Sequence, residues 1–70
     1  RHAPHDANLY RRRGQVHARV DNADAAISDY TESLRLEPNS VEALSGRAEL
    51  HSRKGDHEAA AADYTEAMRH

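Results

Sequence analysis

Asp29-Tyr30-Thr31-Glu32 returns, 34 residues later, as Asp63-Tyr64-Thr65-Glu66. The match extends well beyond this tetrapeptide. With the same offset Ala25-Ala26 falls on Ala59-Ala60, and Arg13, His17, Arg19 and Arg35 fall on Arg47, His51, Arg53 and Arg69. Val16 with Leu50, Leu34 with Met68 and Ser33 with Ala67 are conservative exchanges. A fixed period of this length marks a repeat architecture, in which each unit buries its apolar face against its neighbours. Pro4 falls on Pro38 and Asp6 on Ser40. Residues 1–6 therefore read as the end of a preceding unit or a lead-in segment. Residues 7–40 form the first full unit, and residues 41–70 a second, truncated at its C-terminal end.

Each unit reads as two helices. In the first, Leu9, Tyr10, Arg13, Val16, His17 and Val20 recur at steps of three and four, the spacing of one helical face. Asp6 is suited to cap its start. Asp21-Asn22 interrupts the pattern, and Asn22 is placed to cap a second helix with Asp24 in its first turn. That helix carries Ala26, Ile27, Tyr30 and Leu34 on one face and stops before Pro38, because a residue preceding proline disfavours the α region. The second unit repeats the scheme. Ser40 caps a helix with the stripe Leu44, Arg47, Ala48, Leu50 and His51; Gly55 suits a left-handed helix end; Asp56 caps a last helix with Ala60, Tyr64, Ala67 and Met68 on its face. Ala-x3-Tyr occurs in both second helices. It predicts that Ala26 and Ala60 lie where backbones approach closely, with Tyr30 and Tyr64 filling the gap beside them.

Composition limits what such a chain can be. Of 70 residues, thirteen are alanine and only thirteen are larger apolar side chains: three Tyr, five Leu, three Val, Ile27 and Met68. A chain this short with so thin a core is marginally stable alone. No cysteine is present to brace it, which suits a reducing compartment and makes a cytoplasmic setting the expectation. No run approaches the roughly 20 apolar residues that span a bilayer. Net charge is −2, so there is no overall attraction to nucleic acid or anionic membrane.

On spacing, the sequence resembles the tetratricopeptide repeat family. Its 34-residue pattern has an aromatic, then Leu-Gly, then Tyr in the first helix, with Ala-x3-aromatic and a late Pro in the second. Here the first unit reads Tyr10, Arg13-Gly14, His17, Ala26, Tyr30 and Pro38, and the second Leu44, Arg47-Ala48, His51, Ala60 and Tyr64. The fold implied is all-α: two stacked antiparallel helix–turn–helix hairpins, a fragment of an α-solenoid. Arg13 and Arg47 stand in for the family's Leu, and His17 and His51 for its Tyr. For the first exchange, Arg13 with Asp29 and Arg47 with Asp63 are expected to pair across neighbouring antiparallel helices, each arginine laying its stem on the core. For the second, the histidines are expected to be half-buried neutral rings whose protonation destabilises the fold in acid.

The resemblance implies a protein-interaction scaffold that holds a peptide or helix in a concave groove lined by the first helix of each unit. Opposite the core stripe these helices carry Asn8, Arg11, Arg12, Gln15 and Arg19, then Glu42, Ser45, Gly46, Glu49 and Arg53. One end of this groove is basic and the next acidic, and an acidic partner suits the arginines. A sub-family clamps the C-terminal carboxylate of chaperones. Gln15 and Gly46 stand where it uses Asn, so that ligand is not expected. The alternative function is structural self-assembly, with open unit ends associating between copies.

Other chemistries find little support in the residues. His2 with His5 and His51 with His57 lack the spacing of a zinc motif, so no metal or cofactor is expected. No cysteine, phosphate-binding glycine loop or strained nucleophile turn is present, so no enzymatic activity is expected. A DNA-reading helix–turn–helix built on Arg11 to Arg13 leaves the 34-residue self-match unexplained.

Overall fold

Asp6, Asn22, Ser40 and Asp56 each begin a helix. A computed structural model, describing residues 6–70, contains α1 (Ala7–Arg19), α2 (Ala23–Leu36), α3 (Val41–Arg53) and α4 (His57–Met68), with no strand among the described residues. The cap side chains satisfy N–H groups that the first helical turn leaves without partners. Asp6 accepts from the Asn8 N–H at 3.0 Å, Asn22 from Ala25 at 3.4 Å, Ser40 from Ala43 at 3.3 Å and Asp56 from Ala59 at 3.2 Å. The reading of residues 1–6 as the end of an earlier unit, with Pro4, His2 and His5, lies outside the described residues except for Asp6.

Both hairpin turns are built alike. After α1 the Asn22 N–H donates to the His17 carbonyl at 2.9 Å and the Asp21 N–H to Ala18 at 3.3 Å. After α3 the Asp56 N–H donates to His51 at 2.8 Å and the Gly55 N–H to Ser52 at 3.0 Å. These paired bonds close the last helical turn around one left-handed residue. That residue is Gly55 at φ 87° in the second turn and Asp21 at φ 61° in the first. Sequence reasoning marks Gly55 for this role and gives no sign of Asp21. The residue after each serves at once as the next helix's cap, so each turn is very short. Between the units, Glu37 is extended (φ −136°, ψ 85°) ahead of Pro38, and α2 ends at Leu36.

The short turns lay α1 against α2 and α3 against α4 as antiparallel hairpins, and α2 packs on α3 to stack them. α1 and α3 also touch, whereas α2 and α4 do not. The stack therefore closes toward α1 and α3 and opens toward α2 and α4. The core cluster comprises Ala26, Tyr30 and Leu34 of α2 with Ala43, Leu44 and Leu50 of α3. It lies between the two units rather than within either.

Two stripes differ from expectation. In α1 the buried residues are Ala7 and Gly14, while Val16 and Val20 are exposed. The predicted stripe marks the face that, in α3, packs on the preceding hairpin as Leu44 and Leu50. In α1 that face has no helix against it among the described residues. In α4, Ala60 is buried, but Tyr64 and Met68 are exposed for the same reason on the opposite side. Tyr64 is thus largely exposed beside the buried Ala60, whereas Tyr30 beside Ala26 is buried.

Candidate functional site

The arginines in place of leucine hold the hairpins together. Arg13 donates from Nε and Nη2 to the two carboxylate oxygens of Asp29, both at 2.8 Å, and Arg47 does the same to Asp63 at 2.8 Å. Both aspartates are buried, and a bidentate fork satisfies both their oxygens. The bonds to the aspartates raise each arginine above its ordinary pKa, so both stay charged. Their surroundings differ. The Arg13 side chain is 63% exposed and lies 5.6 Å from the Tyr10 ring centre, whereas Arg47 is 23% exposed and also donates to Thr31 Oγ1 of α2 at 3.2 Å. Arg47 thus ties three helices and Arg13 two. His17 is half-buried, with Nε2 3.7 Å from Asp29 Oδ2.

Close approach inside the first hairpin depends on Gly14. A Cβ there would lie 3.3 Å from the Ala26 carbonyl oxygen and 3.4 Å from Tyr30 Cδ1. The Tyr30 ring then extends toward α3 and ends on Gly46, where a Cβ would lie 2.7 Å from Cζ and 2.8 Å from the hydroxyl. Burial pushes the Tyr30 phenol above its ordinary pKa, against a smaller lowering by Arg11. Gly46, read from sequence as part of the groove stripe, is the seat of this ring. An isolated helical glycine is the sequence signal for such a seat.

The predicted groove residues fall along the α1–α3 side. Arg11 is half-buried and 3.8 Å from Glu42, so these two charges meet across the units. Arg53 pairs with Glu49 one turn away at 3.2 Å. Two of the arginines on this face thus face carboxylates. Arg12 and Arg19 are exposed and have no ion-pair partner among the described residues. Asn8 is exposed beyond them and Ser45 half-buried in α3. Between the helices lies an open hollow of about 300 Å³ bounded by Gln15, Ala18, Arg19, Tyr30, Glu49 and Arg53. It brings together Gln15 and Arg19 with Glu49 and Arg53, and leaves Asn8, Arg12 and Ser45 outside. Of the predicted structural positions, Gly14, Ala26, Tyr30, Leu44 and Ala60 are buried, Tyr10 half-buried, and Pro38 and Tyr64 exposed.

Three contacts that stripe reasoning missed lock the assembly. Ser33 donates its hydroxyl to the Ala7 carbonyl at 3.0 Å in the core of the first hairpin. Thr31 receives Arg47. Lys54, after α3, pairs with Asp24 at the start of α2. Each involves a polar residue, which apolar periodicity cannot single out. Among the described residues no group of three His, Asp or Glu could hold a metal ion, and no helix is long and apolar enough to cross a membrane.

A family model described as tetratricopeptide repeat matches residues 7–40 and again residues 41–69. A comparison with curated proteins finds no match.

Proposed function

The chain belongs to the tetratricopeptide repeat family, and from that premise we propose that its α1–α3 side binds an acidic peptide or partner helix. Repeats of this family are generally non-catalytic protein-interaction scaffolds. The observation that supports the finer reading is the hollow between α1 and α3. Arg19 lines it without a carboxylate partner among the described residues, Gln15 adds an amide, and Ala18 with the Tyr30 ring supplies an apolar base. A ligand carboxylate meets a planar fork in Arg19, and Arg12 offers a second cation on the same helix. Arg11 is committed to Glu42 and contributes less.

The test is a titration of a labelled Glu/Asp-rich peptide against the full chain. A charge-assisted hydrogen bond contributes about 1.5–3 kcal/mol, so Arg19→Ala is expected to weaken binding by about tenfold or more. Arg12→Ala should weaken it less and flatten the salt dependence, and Arg11→Ala should change it little. Unchanged affinity in both Arg12→Ala and Arg19→Ala removes the acidic-peptide reading.

Self-assembly is the second reading. The exposed Val16 and Val20 on α1 and Tyr64 and Met68 on α4 favour it, since they are the outer faces of the two-unit stack. A mass that grows with concentration in sedimentation supports it, and a constant mass removes it.

A further inference from the structure

The hollow between α1 and α3 is lined by two pairs that the 34-residue offset makes equivalent: Gln15 with Arg19 on α1, and Glu49 with Arg53 on α3. The members of each pair are four residues apart, so they share one helix face. The pairs differ in one group, an amide in the first unit and a carboxylate in the second. The same exchange occurs seven residues earlier, where Asn8 of α1 corresponds to Glu42 of α3.

This exchange changes what each half of the hollow offers. Arg19, beside the neutral Gln15, has no carboxylate partner among the described residues. Arg53 is held by Glu49 at 3.2 Å, and Glu42 lies 3.8 Å from Arg11. The α1 half thus presents an unmatched positive charge, and the α3 half an ion pair. The carboxylate is the more exposed member of that pair, Glu49 at 62% against Arg53 at 50%. An exposed pair one turn apart on a helix holds its members weakly, so Glu49 is able to turn to an incoming cation. An incoming carboxylate meets like charge there unless it displaces Glu49 from Arg53.

Resting on the α1–α3 reading above, we propose that the hollow selects a mixed-charge peptide segment, with a carboxylate on Arg19 and, beside it, a lysine or arginine on Glu49. Gln15 donates its amide to the same ligand carboxylate. Glu49 sets the preference twice over, by attracting the base and by repelling a second acid. Side chains i and i+2 of an extended peptide lie on one face about 7 Å apart, which lets one Glu-x-Lys unit face both halves at once.

Three labelled peptides of equal length, repeating Glu-Ser-Lys-Ser, Glu-Ser-Glu-Ser and Lys-Ser-Lys-Ser, titrated against the full chain at physiological salt, read this preference. Glu-Ser-Lys-Ser is expected to bind tightest, about threefold or more above Glu-Ser-Glu-Ser. Glu49→Gln should shift the ratio of those two affinities by about fivefold or more toward Glu-Ser-Glu-Ser, with helical circular dichroism unchanged because only an exposed pair is lost. Gln15→Glu copies the α3 arrangement onto α1 and should weaken Glu-Ser-Lys-Ser about threefold or more. A parent chain that prefers either single-charge peptide, a ratio that Glu49→Gln leaves unchanged, or a Gln15→Glu variant that binds like the parent overturns this selection. The acidic-peptide reading itself still stands in those cases if Arg19→Ala weakens Glu-Ser-Glu-Ser. No binding of any of the three peptides overturns both.

Discussion

Tyr30 and the two glycines around it govern how closely the first three helices approach. At Gly46 an added methyl meets the buried ring's tip at 2.7 Å, so the ring or the helix must shift. Overpacking of this kind costs about 1–3 kcal/mol, and alanine's helix propensity returns about 1 kcal/mol. Gly46→Ala is therefore expected to lower stability by about 1 kcal/mol net, seen as a fall in Tm of several degrees. At Gly14 the nearest atoms are 3.3–3.4 Å away. There the propensity gain offsets the crowding, and Gly14→Ala should melt within about 0.5 kcal/mol of the parent. Tyr30 also sets a pH limit. Burial holds its phenol neutral, raising it above its ordinary 10.0. The folded state thus binds this proton more tightly than the unfolded chain. The stability it contributes is complete below pH 10.0 and is lost as pH rises through the folded value. Melting at increasing alkaline pH should show the loss, and Tyr30→Phe should reduce it. An alkaline profile that Tyr30→Phe leaves unchanged would assign the loss elsewhere.

At the scale of helices and turns, equivalent elements are built alike but strained differently. Asp21 and Gly55 occupy the same left-handed turn position, and only the glycine does so without a Cβ penalty. Asp21→Gly is expected to stabilise by about 0.5–1 kcal/mol, and Gly55→Ala to destabilise by about 1 kcal/mol or more. Denaturant midpoints of the two variants check both signs. The forks differ in the same way. Without Asp63, the half-buried Arg47 loses its main partner between α2, α3 and α4, at a cost of about 1–3 kcal/mol. Without Asp29, the mostly exposed Arg13 turns to water. Asp63→Ala should thus lower Tm more than Asp29→Ala, and the reverse order would show that exposure does not decide the strength of these pairs.

For the molecule as a whole, the core between α2 and α3 joins the two hairpins, which are therefore expected to fold as one unit. Leu50 is 2% exposed and sits in that core. Truncating a buried leucine costs about 2–5 kcal/mol, a large part of what a chain of this size holds at roughly 0.05–0.15 kcal/mol per residue. Leu50→Ala is expected to unfold both hairpins together, with helical circular dichroism lost in one transition at much lower temperature. Separate melting of α1–α2 from α3–α4 would show that the units fold independently.

Much of this architecture is legible in the residues alone. The four caps, the helix stop before Pro38, the left-handed Gly55 and the Arg–Asp forks all follow from local chemistry repeated at a 34-residue offset. Their physics is short-range, or fixed by adjacent antiparallel helices, so residue type and spacing suffice. Tertiary structure alone decided which apolar faces are covered. Val16, Tyr64 and Met68 are exposed although their counterparts Leu50, Tyr30 and Leu34 are buried, because exposure depends on whether another helix packs there. It also decided that Arg11 meets Glu42, that Gly46 seats Tyr30, and that Arg19 remains without a carboxylate partner among the described residues. A repeated sequence specifies the shape of each unit. The neighbours of a side chain come from stacking, as Tyr30 on Gly46 and the exposed Tyr64 at the equivalent position show.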